Sequence, residues 1–132
     1  MVTLGLKARD RIKRTKQIEK IFKEGKILIS ENKKLKATFL SQKNNNEYLI
    51  QFGVAVQKKA GTAVWRNRIK RLIREAYRKN KYLLYQFSIK NKLLIYLIIS
   101  PGKLNQSNSS KLSLSEIEPT VLELIRKVVG SA

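Results

Sequence analysis

Residues 63–79 constrain this chain more than any other stretch. Set on a helical wheel at roughly 100° per residue, Trp65, Ile69, Leu72, Ile73 and Ala76 fall on one side, with Tyr77 at the border. Arg66, Asn67, Lys70, Arg71, Arg74 and Arg78 fill the adjoining arc. A helix with one apolar stripe must bury that stripe. What then faces outward is nearly all cation, because Glu75 alone offsets seven Lys and Arg between Arg66 and Lys79. Ordinary solvated helix faces mix both signs at i, i+4 spacing. This face is built for a polyanion.

The charge of the whole chain agrees. Lys and Arg number 29 against 9 Asp and Glu, a net charge of +20. Nineteen of the 29 cations sit in residues 7–26 and 58–81, so the charge is concentrated rather than spread. Such a field draws in nucleic acid. At 132 residues and 42% hydrophobic content, the chain reads as one folded RNA-binding domain over 1–132, with residues 1–14 as a basic arm. It contains no Cys and no His, which excludes a disulfide scaffold and an ordinary structural zinc site. The first 30 residues hold no apolar signal-peptide core, and the longest apolar run, 93–99, is too short to span a bilayer. A cytoplasmic protein without a membrane partner is expected.

Periodicity places the elements. Thr15 is an expected N-cap before Ile18, Ile21 and Phe22 at i, i+3, i+4, and Gly25 an expected C′ stop. Strands are expected at 27–30, at 35–41 with Leu35, Ala37 and Phe39 on one face, and at 48–56, with a loop at 43–47. A basic turn at 58–62 leads into the long helix, which starts at Thr62 or Ala63 and runs to about Lys79. The next recognisable element is a continuous apolar strand at 93–99, followed by a polar loop at 101–110. A last helix lies within 113–129, opened by a capping box of Ser115 and Glu118 or, given Pro119, by Glu118–Pro119 itself. The sum is an α+β two-layer sandwich, with helices on one face of a mixed sheet of about four strands. The other face or edge is left to form a groove.

The residues of the basic helix suit RNA. Arg pairs bidentately with phosphate and stacks on bases. Asn67 offers donor and acceptor to base edges or 2′-hydroxyls. Lys58 and Lys59 precede a helix N-terminus, which itself favours phosphate. Catalysis by the chain alone is not expected. There is no His for general acid–base work and no Cys nucleophile. The carboxylates are scattered, and the lone Asp, Asp10, stands between Arg9 and Arg11. Lys59-Ala60-Gly61-Thr62 lacks the spacing of a phosphate-binding P-loop.

Segment 53–78 resembles the protein subunit of bacterial ribonuclease P, most closely at Arg66-Asn67-Arg68 and the following Ile69, Lys70, Arg71, Ile73 and Arg74. Arg11-Ile12-Lys13-Arg14 and Ile21-Phe22-Lys23 before Gly25 are similar to that family too. The resemblance implies an αβββαβα fold of the ribosomal protein S5 domain 2 kind, with a left-handed βαβ crossover where general chirality favours the right-handed one. It implies an accessory subunit of an endoribonuclease, in which a catalytic RNA with magnesium removes the 5′ leader of precursor tRNA. No cofactor on the protein and no obligate protein partner are implied. The RNA-facing set becomes Lys58, Lys59, Arg66, Asn67, Arg68, Lys70, Arg71 and Arg74. A separate cleft for the single-stranded leader takes Phe22, with Ile18 where a second aromatic stands in the family, and Lys36 on a strand richer in Lys than the family pattern. Ser100-Pro101 stands where that pattern has Ala followed by Arg or Lys. The competing reading is a ribosomal or other structural RNA-binding protein without a role in cleavage, which would need no aromatic-bearing groove.

Overall fold

The computed structural model describes residues 15–43 and 50–131. The N-terminal arm and most of the loop before residue 50 lie outside the described residues. The elements are α1 (Thr15–Glu24), β1 (Lys26–Ile29), β2 (Leu35–Lys43), β3 (Ile50–Val54), α2 (Ala63–Asn80), α3 (Tyr82–Asn91), β4 (Leu93–Pro101) and α4 (Leu114–Ser131), with a 3-10 turn at Lys58–Ala60 before α2. The four strands form one sheet in the order β1-β2-β4-β3. β1 and β2, and β2 and β4, are antiparallel, whereas β3 and β4 are parallel. Parallel neighbours need a crossover, and α2 and α3 supply it.

Strand alternation sorts the two faces. Leu35, Ala37 and Phe39 of β2 face the same side as Ile95, Leu97 and Ile99 of β4 and Ile50 and Phe52 of β3. The buried stripes of α2 and α4 pack there, with Trp65, Ile69 and Ile73 from one and Val121, Leu124 and Val128 from the other. Phe52 stacks flat on Tyr77 with ring centroids 3.8 Å apart, which ties β3 to α2. Thus the border residue of the wheel, Tyr77, is a core residue. On the opposite face Ile21 of α1 packs on Ile98, with Ile18, Ala55 and Tyr96 around them. The helices therefore do not all share one face: α1 covers part of the second one, and the groove is what it leaves open.

Three local expectations change. The chain has a further helix, α3, so the order is αβββααβα. Its residues are apolar nearly all round, with Leu84 and Ser88 buried and Tyr82 and Ile89 exposed, so no helical period shows in the sequence. The last helix begins at Leu114, and Pro119 sits inside it; the amides of Glu116 and Ile117 both donate to the Ser113 carbonyl at 3.2 Å. Finally, α1 does stop before Gly25, but not through a left-handed residue, since no described glycine has positive φ. The Gly25 amide still donates to Ile21 O at 2.8 Å. The glycine is needed for close approach: a Cβ would stand 2.5 Å from Ile21 O and 2.8 Å from Phe39 O.

Gly25→Ala must therefore push α1 away from β2. The expected cost is about 1–3 kcal/mol in a urea melt, the usual range for overpacking; an unchanged midpoint would show that α1 is not held against the sheet.

Candidate nucleic-acid interface

The cationic face is set by how α2 begins. Thr62 caps it, its hydroxyl accepting from the Trp65 amide at 3.2 Å. The loop after β4, read from sequence only as polar, braces this end. Gln106 accepts from the Thr62 amide at 2.8 Å and donates its own amide to Ala60 O at 2.8 Å. The Trp65 indole donates to Ser109 O at 2.8 Å. Leu104 and Leu112 of the same loop are buried in the core. Sequence reasoning missed these bracing residues because their partners, the Thr62 amide, Ala60 O and the Trp65 indole, lie more than 40 positions away in the chain.

The Arg-Asn-Arg triplet is partly engaged within the fold. Arg66 is half-buried and its Nε donates to Gly61 O at 3.1 Å. Arg68 reaches across to Leu112 O, 2.7 Å from its Nη2. Each carbonyl occupies part of a guanidinium that has five N–H donors, so both can still meet a phosphate while their planes are held. Asn67, Arg71 and Arg74 are exposed and Lys70 is half-buried, forming the outer arc. Lys58 and Lys59 are exposed on the 3-10 turn just ahead. The eight basic-face residues named from sequence thus lie on α2 and the turn directly before it, each exposed or half-buried. Glu75, the helix's one acid, is turned to Arg78, whose Nε donates to it at 3.2 Å. That hydrogen bond holds the Glu75 carboxyl below its ordinary range and raises Arg78. The acid therefore cancels Arg78 and leaves the cations from Arg66 to Arg74 without an acidic partner on their own helix.

A second surface lies on the α1 side of the sheet. It is a groove of about 670 Å³ lined by Phe22, Lys36, Ala55, Val56, Gln57, Lys59, Ser100 and the loop residues Gly102, Leu104 and Asn105. Phe22 is 39% exposed at its rim, although its neighbour Ile21 is buried. Phe22 and Lys36 are brought together here as expected. Ile18 is not among the lining residues; it packs beside Ile21 and Ile98 under α1. Lys59 borders both this groove and a shallower basin of about 440 Å³ at the start of α2, so the two cationic surfaces meet at the 3-10 turn. Among the described residues no three His, Cys, Asp or Glu come together to hold a metal ion, and no helix is long and apolar enough to cross a membrane.

Known proteins share this architecture. The sequence model of the Ribonuclease P family matches residues 6–124. The Ribonuclease P protein component of Bacillus pumilus is 32% identical over 92% of this chain and 90% of its own length. That of Bacillus velezensis is 34% identical over 92% and 91%. The RNase P protein of Thermotoga maritima superposes with a TM-score of 0.67 at 27% identity, covering 89% of this chain and 96% of that one.

The geometry separates two arginines of α2 that look alike in sequence. Arg74→Ala is expected to flatten the plot of log affinity for structured RNA against log salt by about 0.7–0.9. Arg78→Ala is expected to change it less, because Glu75 already offsets that charge. Filter binding across a salt series reads both slopes, and equal losses would overturn the assignment.

Proposed function

The chain belongs to the ribonuclease P protein family, and from that premise we propose that it binds the catalytic RNA through α2 and the 5′ leader of precursor tRNA through the α1 groove. It thereby assists endonucleolytic removal of the leader to form the mature tRNA 5′ end. The observation that carries the proposal is the pairing of an uncancelled cationic helix face with a separate groove that has an aromatic rim and a lysine floor. A rigid helix dense in Arg suits folded RNA, whose phosphates lie in fixed arrays. An aromatic beside a lysine suits an unpaired strand, whose bases are free to stack and whose phosphates still need a cation. A ribosomal or purely structural RNA-binding protein would have use for the first surface and none for the second.

In this reading hydrolysis belongs to the RNA subunit and its magnesium ions, and the protein binds and orients. Magnesium seeks open carboxylates. Here Glu75 is occupied by Arg78 and Glu123 by Lys127 at 3.2 Å, so neither is set up as a ligand. Each cation brought to the RNA replaces part of its counterion atmosphere. The protein then lowers the magnesium needed to hold two polyanions together. The same reading places the chain in the cytoplasm with RNA partners and no obligate protein partner.

The test is cleavage of precursor tRNA at low magnesium by the cognate ribonuclease P RNA, with and without this protein. Faster leader removal with the protein, and none by the protein alone, is the expected result; no acceleration of a competent RNA would favour the purely structural role. Phe22→Ala is expected to remove about 1–3 kcal/mol of the preference for leader-bearing precursor over mature tRNA, the scale of one base–aromatic stack. Binding of both tRNAs to the assembled holoenzyme measures it, and an intact preference would take Phe22 out of the leader path.

A further inference from the structure

Helix α3 presents a face that the fold does not use. It leaves the end of α2 through the single residue Lys81, whose backbone is itself helical. Its inner side is fixed along its length. Lys81 is buried, with its ammonium 5.5 Å from the centre of the Tyr85 ring. Leu84 enters the main core, and the Ser88 hydroxyl donates to Leu93 O at 2.6 Å. The outer side carries Tyr82, Gln86 and Ile89 at i, i+4 and i+7, the spacing of one helix face. All three are exposed, Tyr82 by 47% and Ile89 by 60%.

Single apolar side chains on a surface are ordinary. Here the charge around them is what is unusual. Residues 76–115 include seven Lys and Arg and no Asp or Glu. Lys79 lies exposed three residues before Tyr82, and Lys90 and Lys92 lie exposed just after Ile89. The acids that reach this end of α2 are engaged: Glu75 accepts from Arg78, and Glu118 of α4 accepts from Asn80 Nδ2 at 3.3 Å. An aromatic ring bracketed by cations suits a nucleic acid, whose bases stack on the ring and whose phosphates meet the ammonium groups. A second copy of this chain, at +20, would meet like charge here. The position selects which RNA. α3 packs through Leu84 on the α2 and α4 side of the sheet, whereas the groove opens on the α1 side. A strand in the groove therefore lies on the other face. An RNA lying along α2 instead continues past Arg78 and Lys79 in its last turn to Tyr82.

We propose that α3 extends the α2 interface, with Tyr82 stacking on an unpaired base of the catalytic RNA and Lys79 holding phosphate beside it. The inference rests on the assignment of α2 to that RNA given above, and it adds a contact of a different kind. The cations of α2 meet the backbone, which every RNA offers. Stacking needs a base that is out of its pair, so Tyr82 recognises a place where the folded RNA leaves one open.

The experiment measures the affinity of the full-length protein for the cognate catalytic RNA across a salt series, with chemical probing of the RNA bases in the complex. Tyr82→Ala and Tyr82→Leu are each expected to weaken binding about tenfold, within the range of one base–aromatic stack. Tyr82→Phe, which keeps the ring, is expected to bind like wild type. The salt slope is expected to stay at its wild-type value in Tyr82→Ala, since a stack releases no counterions, whereas Lys79→Ala flattens it. One unpaired base whose reactivity drops with wild type is expected to stay reactive with Tyr82→Ala. Free Tyr82→Ala is expected to melt like wild type, because the side chain is exposed; a residue serving only the fold would move the melt and not the probing pattern. Wild-type affinity in both the Ala and the Leu variant overturns the inference, as does a loss in Tyr82→Ala that Leu restores, which would make the contact apolar rather than stacked. Self-association of the free protein that Tyr82→Ala abolishes also overturns it, and would give the face to a second copy. In each of these cases Arg74→Ala still weakens binding and the α2 assignment survives. If Arg74→Ala leaves affinity for the catalytic RNA unchanged, that assignment itself fails and this inference falls with it.

Discussion

Burial of the apolar stripe of α2 against the sheet is the contact on which the other features depend. Trp65, Ile69, Ile73, Ala76 and Tyr77 are all withdrawn from water, and Tyr77 stacks on Phe52 of β3. A helix with a single stripe can turn only one way once that stripe is covered. The cations of α2 are thereby aimed outward without any device of their own. The same contact places α2 in the crossover between the parallel strands β3 and β4. Together with α4 it therefore fills one face of the sheet and leaves the other to α1 and the groove.

The loop after β4 makes the two surfaces one unit. It enters the core through Leu104 and Leu112, holds the start of α2 through Gln106 and Ser109, and accepts from Arg68 at Leu112. Gly102, Leu104 and Asn105 of the same loop wall the groove. Lys59 lies where groove and basic helix meet. A single strand in the groove and a folded RNA on α2 would thus share one rigid frame. Under the proposed function such a frame would keep a substrate in register with the catalytic RNA, where a flexible basic tail could only raise local concentration.

Much of this was legible beforehand, for local reasons. The alternation of Leu35, Ala37 and Phe39 and the stripe of α2 are periods that survive in any fold that buries them. The cationic arc of Arg66, Asn67, Lys70, Arg71 and Arg74 followed from the same wheel, since charge without neighbours has nowhere to go but outward. Where local periods were missing, reading failed. α3 shows apolar residues on every side, because only Leu84 and Ser88 face the interior while Tyr82 and Ile89 remain exposed. The start of α4 was obscured by Pro119, which sits inside a helix that begins at Leu114, with Ser113 O accepting from the amides of Glu116 and Ile117. Gly25 was placed correctly as a stop but for a different cause, the close approach of Phe39 O, which belongs to another strand.

The sequence by itself determined the composition of the cationic face, the apolar positions of most elements and the absence of a Cys or His chemistry, because these depend on residue type and short-range spacing. Only the tertiary structure decided that Phe22 and Lys36 share a groove while Ile18 lies under α1, that Arg68 is held by Leu112 O, and that Ser100 stands in the groove floor with its hydroxyl unpaired. Each of these joins residues from elements far apart in the chain. Strand register and helix docking set such distances, and neither is written in the spacing of neighbouring residues.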